Sequence, residues 1–267
     1  MSDPTSETHE HQAEHEAAWR AILTGQVRGL NMTRRLVGWV PAGPRCKLCL
    51  APLRAPGSVL LRPFGFGPSK LNRRLCRSCF RSVEKHPGGA EVEISLLFAD
   101  VRGSTSLAER MSPQAFSNLI ARFYGTAANV VDDRNGLVDK FVGDEVVALF
   151  IPGFAGEDHA AKAVDAAREL MRETGNDGGE PWIPVGAAVH SGVPYVGRVG
   201  EGDACDFTAI GDPVNTTARL ASSAAAGEIL VSAAAAEAAG LDTTGLEMRT
   251  LELRGREEHA EVWVARA

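Results

Sequence analysis

Between residues 92 and 189 the apolar side chains recur with two different spacings, and the order of those spacings strongly limits the fold. Short apolar runs have the length of single β-strands, whereas longer segments repeat apolar residues every three or four positions, as one face of a helix does. The segments are 92–98 (strand), 116–131 (helix), 137–142 (strand), 145–150 (strand), 160–171 (helix) and 183–189 (strand). This order predicts an α+β protein with a ferredoxin-like βαββαβ core.

Residues at the ends of these segments support the same organisation. Ser112 followed by Pro113 is typical of a helix start, because serine caps the first turn and proline lacks only an N–H that this turn leaves unpaired. Gly136 marks the end of the helix, and Gly143-Asp144 is predicted to form a tight turn between two strands. Additional strands and a helix are predicted at 195–199, 206–210, from 213 onwards, at 229–231, 246–253 and 260–264.

The chain before residue 91 has a different character. Four of the five cysteines form the CxxC pairs Cys46/Cys49 and Cys76/Cys79, in a segment rich in proline, glycine and arginine. Such pairs are typical of structural zinc sites, in which four thiolates surround one ion; an iron–sulfur centre and a redox-active dithiol are the alternatives. The predicted regions are an N-terminal segment over 1–39, helical from about 10 to 30, a four-cysteine metal-binding module over 40–85 and a larger domain over 91–267.

The charge balance argues against two classes of partner. The chain carries 28 Lys and Arg residues against 34 Asp and Glu residues, a net charge of −6. A general nucleic-acid binder needs a basic surface, so no nucleic acid is expected. The four arginines around the second cysteine pair are interpreted as a domain-docking face; they are Arg73, Arg74, Arg77 and Arg81.

No apolar run reaches the roughly 18 residues of a membrane span, and the acidic N-terminus does not resemble a signal peptide. A cytoplasmic location is expected.

Two aspartates are predicted to meet at one edge of the sheet. Asp100 ends the first strand of the core, and Asp144 lies in the turn after the second. A helical crossover makes those two strands parallel, so their carboxyl ends share an edge. Converging carboxylates suit Mg²⁺ or Mn²⁺. The small residues Gly103, Ser104 and Thr105 beside Asp100 allow backbone N–H groups to close around an anion.

A second cluster lies on the helix predicted to start near residue 213. Asp212 is predicted as its N-cap and Pro213 as its first residue, so Asn215 and Arg219, four residues apart, share a face. An arginine can hold a phosphoryl group through two hydrogen bonds, and an asparagine can orient a sugar. By itself, this pattern is also that of an ordinary exposed helix face.

These motifs together carry a resemblance to a known family. The segments Phe98–Thr105 (FADVRGST), Lys140–Asp144 (KFVGD) and Phe207–Asn215 (FTAIGDPVN), with Arg219 beyond them, resemble the class III adenylate/guanylate cyclase catalytic domain over about residues 91–265. The resemblance implies a homodimer that cyclises ATP to 3′,5′-cyclic AMP and pyrophosphate, in sites shared between the two protomers.

The resemblance also implies a role for each matched position. Two Mg²⁺ or Mn²⁺ ions per site would be bound by Asp100 and Asp144, with the Val101 carbonyl as a further ligand. Lys140 and Thr208 would contact the purine. The catalytic residues would be Asn215, which orients the ribose, and Arg219, which stabilises the phosphate under attack.

The same pattern bears on the choice of purine. Lysine with threonine at positions 140 and 208 matches the adenine-reading members, whereas the guanine readers carry glutamate with a small residue such as cysteine. A guanylate cyclase and a catalytically silent nucleotide-binding or interaction module are the alternatives. The segment Val142–Val146 also weakly resembles the GGDEF motif of diguanylate cyclases. The family's triphosphate-binding lysine is absent near the C-terminus, where Arg254 or Arg256 is the candidate replacement.

Overall fold

The computed structural model describes residues 4–27, 32, 36, 45–46, 49–55, 57–68, 76–79, 81, 88–201, 206–252 and 259–267. The chain forms two compact units. One comprises Met1–Glu91 with Val196–Thr208, and the other comprises Val92–Tyr195 with Ala209–Ala267. The chain therefore leaves the larger unit after residue 195 and returns to it at residue 209.

The larger unit is built on a seven-stranded sheet with the order β3-β4-β2-β5-β8-β10-β9. Its strands are β2 (Ile94–Val101), β3 (Leu137–Val142), β4 (Glu145–Phe150), β5 (Val185–Gly192), β8 (Ile229–Ser232), β9 (Glu247–Glu252) and β10 (His259–Ala265). Strands β5 and β8 pair in parallel, and the other neighbours pair antiparallel. Strands β2 to β5 with two long helices give the predicted βαββαβ core, which is confirmed.

The helices of this unit lie between the strands in sequence. They are α3 (Ser104–Arg110), α4 (Pro113–Asp133), α5 (Pro152–Ala155), α6 (His159–Thr174), α7 (Asp212–Ser223) and α8 (Ala233–Ala239). Helix α4 begins as predicted, because the Ser112 side chain accepts a hydrogen bond from the Ala115 N–H and Pro113 follows it. The short helices α3, α5 and α8 were not predicted.

One face of β2 is buried against α4 and α6. Its odd-numbered residues Leu97, Ala99 and Val101 belong to the same apolar core as Phe123 of α4 and Leu170 of α6. Since successive side chains of a strand alternate between faces, Leu96, Phe98 and Asp100 belong to the opposite face. Helix α7 also packs against β2 and β5. The core therefore fixes both the position and the direction of the strand that ends at Asp100.

The other unit contains α1 (Pro4–Leu23), α2 (Gly57–Leu61), a 3-10 turn (Arg62–Phe64) and β1 (Gly89–Glu91). Strand β1 forms a second sheet with β6 (Tyr195–Val199) and β7 (Asp206–Ile210), in the order β1-β6-β7. The Trp19 ring of α1 is 2% exposed and stacks on Phe207 of β7, with ring centroids 6.0 Å apart. Helix α1 thus packs beside the strand that carries Thr208.

Several predicted boundaries require correction. Helix α1 starts at Pro4 and ends at Leu23, whereas the sequence predicted about residues 10 to 30. The first and last strands of the core each lie two or three residues later than predicted, because the buried apolar residues Val92 and Ile183 precede the strands without being part of them.

No helix among the described residues is both long enough and apolar enough to cross a membrane.

Candidate active site

Asp100 and Asp144 come together at one edge of the larger sheet. Asp100 is paired in register with Glu145 of β4, and the adjacent Val101 N–H donates to the Asp144 carbonyl at 3.3 Å. Burial raises the pKa of the Asp100 carboxyl above its usual value; the Arg102 charge opposes this shift and the Asp144 charge adds to it. The structure therefore places these two carboxylates as the crossover argument predicted.

Glu145 is a third carboxylate of this cluster, and the sequence analysis missed it. Burial and the charges of Asp100 and Asp144 raise the pKa of Glu145 to about 7. The signal was available, because Glu145 directly follows Asp144 and a two-residue turn places it opposite the end of β2. The three converging carboxyl groups form a hard-oxygen donor set that fits divalent cations, and the Arg102 guanidinium balances part of their negative charge.

The turn that carries Asp144 is held from the neighbouring helix. Gly143 has φ of 62°, the left-handed region that glycine adopts without steric cost. The Tyr124 hydroxyl of α4 donates a hydrogen bond to the Gly143 carbonyl. The Tyr124 ring stacks on Phe141 of β3, with centroids 4.1 Å apart. Both contacts restrict where the Asp144 side chain can project.

Arg102 joins the carboxylate cluster to the C-terminal end of α7. Its guanidinium lies 3.1 Å from an Asp100 carboxylate oxygen. It also donates to the Ala221 carbonyl at 2.6 Å and to the Ser222 carbonyl at 3.2 Å, the region where a helix carries partial negative charge. Gly186 permits this path, because a Cβ there would lie 2.7 Å from the Arg102 Nε. Arg102 is the second residue that the sequence analysis did not select.

The predicted anion loop forms the start of a short helix. Gly103 has φ of 68° and is the N-cap of α3, which begins at Ser104. Ser104 and Thr105 therefore lie in the first turn, whose backbone N–H groups have no partner within the helix. Ser104 is half-buried and Thr105 is exposed. The conformation leaves backbone donors near Asp100, and anion binding stays a prediction.

Helix α7 presents Asn215 and Arg219, but its N-cap differs from the prediction. Gly211, with φ of 126°, is the N-cap, and Asp212 is the first helical residue, so the prediction of Asp212 as the cap is wrong. The reason is that the chain reverses at Gly211 in a conformation that aspartate rarely adopts. Asn215 is exposed and Arg219 is half-buried. In the described part of the chain, neither side chain has a hydrogen-bond or ion-pair partner.

The two predicted purine contacts lie on different strands. Lys140 of β3 has a side chain 43% exposed, and its Nζ lies 3.3 Å from an Asp139 carboxylate oxygen. Thr208 of β7 is buried, at 5% exposure. Lys140 belongs to the larger unit and Thr208 to the other one. Arg254 and Arg256, the candidates for triphosphate contact, lie outside the described residues.

A second group of possible metal ligands lies in the N-terminal unit. The Sγ atoms of Cys46, Cys49, Cys76 and Cys79 all lie within 4.8 Å of one another. Hydrogen bonds from the other three thiols, that of Cys49 foremost, lower the pKa of Cys46. A thiolate is the form that binds metal.

Comparisons with known proteins agree on the larger unit. A family described as "Adenylate and Guanylate cyclase catalytic domain" matches residues 89–266. Among solved structures, the guanylyl cyclase Cya2 is 30% identical with a TM-score of 0.60, covering 66% of this chain and 93% of that one. The adenylyl cyclase CyaB from P. aeruginosa is 25% identical with a TM-score of 0.56, covering 66% of this chain and 95% of that one.

The curated relatives are longer proteins. An "Adenylate cyclase" of Anabaena cylindrica is 35% identical over 133 residues, which are 48% of this chain and 26% of the relative. "Adenylate cyclase 1" of Rhizobium meliloti is 28% identical over 134 residues, which are 48% of this chain and 20% of the relative. The alignments thus span about a quarter or less of these relatives.

Proposed function

This chain belongs to the adenylate and guanylate cyclase catalytic domain family, and we propose that it is an adenylate cyclase that converts ATP to 3′,5′-cyclic AMP and pyrophosphate. The convergence of Asp100 and Asp144 is the observation that carries the proposal, because two such carboxylates can hold the divalent cations that would neutralise charge on the reacting phosphate. Both carboxylates lie at a sheet edge beside a helix start rich in free backbone donors. That edge is where a triphosphate can be held.

The carboxylate cluster is proposed to hold the metal ions. Asp100 and Asp144, with the Val101 carbonyl, would bind two Mg²⁺ or Mn²⁺ ions per site, and the donor set of three carboxyl groups fits such ions. When bound, the ions lower the pKa of the ribose 3′-hydroxyl and balance charge on the departing pyrophosphate. Arg102 keeps Asp100 aimed at the cluster through the ion pair described above.

The remaining residues are proposed to position the nucleotide. The Arg219 guanidinium can donate two hydrogen bonds to the α-phosphate and stabilise the charge that develops there. Asn215, one helical turn earlier, can orient the ribose so that its 3′-hydroxyl lies in line with the phosphorus atom. Lys140 can donate to N1 of adenine, and Thr208 completes the contact with the purine. Gly103, Ser104 and Thr105 would contact the phosphates through their backbone N–H groups.

A direct assay tests the reaction. The purified protein is incubated with ATP or GTP and Mg²⁺ or Mn²⁺, and cyclic AMP and cyclic GMP are quantified. We expect cyclic AMP as the main product, with at least about 100-fold less from the Asp100→Ala variant. Nucleotide binding without product, from a protein whose fold is intact, would instead identify a silent nucleotide-binding module.

GTP is the second candidate substrate, because the guanylyl cyclase Cya2 is 30% identical to this chain. Replacing Lys140 by Glu and Thr208 by Cys exchanges a donor for an acceptor at the purine edge. We expect the ATP:GTP ratio of kcat/KM to fall by at least about tenfold, the value of one well-placed polar contact. An unchanged ratio would remove both residues from base recognition.

We propose further that the active protein is a homodimer with sites shared between protomers. Asn215 is exposed and, among the described residues, the Arg219 guanidinium has no side-chain partner, so both are available to a nucleotide held by another chain. The exposed apolar residues Phe141 and Val142, 38% and 52% accessible, lie on the edge strand β3 and offer an interface.

Mixing two inactive variants tests the shared site. Asp100→Ala and Arg219→Ala are expected to be nearly inactive alone, and a mixed dimer contains one site with both changes and one with neither. Random pairing of equal amounts should therefore restore roughly a quarter of the wild-type activity. Exchange is monitored with two affinity tags. If tagged subunits exchange and no activity returns, the shared-site proposal is wrong while the assay above still tests the chemistry.

A further inference from the structure

The four cysteines of the N-terminal unit form a cluster that the nucleotide chemistry does not use. We propose that Cys46, Cys49, Cys76 and Cys79 bind one Zn²⁺ ion in a closed tetrahedral site that holds this module together. The inference concerns a different unit from the carboxylate cluster and does not depend on the proposed catalytic activity.

The spacing of the sulfur atoms fits one ion. The Cys49 and Cys76 Sγ atoms are 3.6 Å apart, and all four Sγ atoms lie within 4.8 Å of one another. With Zn–S bonds of about 2.3 Å, a tetrahedral site separates its sulfurs by about 3.8 Å. A disulfide would require about 2.05 Å. An iron–sulfur cluster places irons and sulfides between its thiolates and so needs wider spacing than one ion does.

The first pair of cysteines lies in a turn that points both thiols inwards. The Cys46 N–H donates to the Ala51 carbonyl and the Leu50 N–H donates to the Cys46 carbonyl, each at 2.8 Å. Leu50 adopts φ of 59°, an uncommon value for a residue with a side chain, and the Arg45 side chain donates to its carbonyl at 2.9 Å. These hydrogen bonds bring Leu50 and Ala51 back beside Cys46, as a CxxC knuckle requires.

The second pair contributes outer contacts to the sulfurs. The Cys76 N–H donates to the Cys46 Sγ at 3.2 Å, and the Cys79 N–H donates to the Cys76 Sγ at 3.4 Å. Such hydrogen bonds offset thiolate charge and orient the ligands, as outer contacts do in metal sites. The first of them also links the two pairs, although 30 residues separate Cys46 from Cys76.

The burial of the thiols indicates a structural role. Cys46 and Cys76 are 0% exposed and Cys49 is 2% exposed. Four sulfur ligands fill a tetrahedral site, whereas catalytic zinc keeps one position open for water or substrate. Between residues 45 and 81, the buried aliphatic side chains described are Ala51, Pro52 and Leu53. A module with so little apolar burial needs the ion for its stability.

Metal analysis of the purified protein, residues 1–267, is the test. Elemental analysis is carried out on wild type, on the Cys46→Ser/Cys79→Ser double variant and on the matched control Cys205→Ser, which removes the cysteine outside the CxxC pairs. We expect about one zinc per chain in wild type and in the control, and a loss of that zinc in the double variant. Any zinc that binds at the carboxylates would be equal in all three proteins. The difference in zinc content between them therefore reports the cysteine site alone.

A second measurement keeps the test valid if the double variant folds poorly. The wild-type metal is removed by a chelator under reducing conditions, and Co²⁺ is then titrated in. We expect one equivalent of Co²⁺ to produce the absorption bands of tetrahedral thiolate coordination, which Zn²⁺ abolishes. Stoichiometric iron with visible colour as purified, equal zinc in wild type and double variant, or no Co²⁺–thiolate bands would each overturn the proposal.

Discussion

The two units of this protein each contain a cluster of possible metal ligands, and the two clusters are built in opposite ways. Asp100 and Asp144 stand at the edge of a seven-stranded sheet whose strands are fixed by an extensive apolar core. The four cysteines lie in short local segments, among them a turn at Cys49 and an isolated β-bridge at Cys76, with little apolar burial around them. In the larger unit the fold creates the site, whereas in the N-terminal unit the proposed zinc ion would complete the fold. Losing an ion should therefore have different consequences in the two units.

The largest expected effect comes from disrupting the apolar core that fixes the strands of the larger unit. Phe150 of β4 is fully buried in the apolar core of the larger unit. Phe150→Ala should lower the free energy of unfolding of that unit by about 3–5 kcal/mol, because it removes apolar contacts and leaves a cavity. Denaturant unfolding measures this, with Val193→Ala, at a position 56% exposed, as a control expected to cost less than about 0.5 kcal/mol. A matching loss of zinc from the cysteines would show that the two units are not built independently.

The next effect separates chemistry from folding. Asp144→Asn keeps the shape of the turn and removes one charge, so kcat should fall by at least about 100-fold while the thermal unfolding midpoint stays within a few degrees. Asp133→Asn, at the exposed end of α4, is the matched control. Cys46→Ser should do the reverse and weaken the N-terminal unit. If Asp144→Asn destabilises the protein as strongly as Cys46→Ser, the contrast between the two clusters fails.

A smaller effect is expected where the fold holds the carboxylate cluster. Arg102→Ala removes the ion pair with Asp100 and two hydrogen bonds to the end of α7, so kcat should drop about tenfold, the scale of a hydrogen bond to a charged group. Arg102→Lys should recover only part of the loss, because an ammonium lacks the planar geometry for all three contacts. Arg110→Ala on the exposed end of α3 should have no effect. A positioning role predicts a change in kcat with little change in KM for ATP, and the opposite split would contradict it.

The smallest effect is a pH dependence of the core itself. His159 is buried, and its Nδ1 lies 3.0 Å from the Ser95 hydroxyl. Burial lowers the pKa of His159 below its usual 6.5, although Glu93 and Asp158 oppose the shift. The free energy of unfolding therefore keeps its full contribution from His159 above pH 6.5, the usual pKa of the unfolded chain. This contribution is lost as the pH falls below 6.5, since the unfolded chain takes up the proton first.

Unfolding of wild type and His159→Gln at several pH values measures this difference. Between pH 7.5 and 5.5 the wild type should lose stability relative to the variant, by at most about 1.4 kcal/mol per pH unit. Parallel curves for the two proteins would assign the pH dependence to other groups. The proposed zinc site would add its own loss at low pH, because protons compete with zinc for thiolates, and this loss would be common to both proteins.

Local patterns in the sequence were sufficient for much of the site. The alternation of strand-like and helix-like spacing of apolar residues predicted the βαββαβ core. That topology alone placed Asp100 beside Asp144, because parallel strands joined by a crossover have their carboxyl ends at the same edge of the sheet. Ser112 and Pro113 predicted where α4 starts, since capping depends on neighbouring residues only. The four cysteines were selected from their spacing, and the structure brings their sulfurs together.

Other features depended on contacts between residues far apart in the chain. Glu145 and Arg102 join the site only because β4 pairs with β2 and the end of α7 packs near β2. Gly211, rather than Asp212, caps α7 because of the path that the chain takes between β7 and that helix. The assignment of residues 196–208 to the N-terminal unit likewise follows from long-range packing. Spacing and capping are local properties that a sequence displays directly, whereas pairing partners, burial and charge neighbours are decided by the free energy of the whole packed chain.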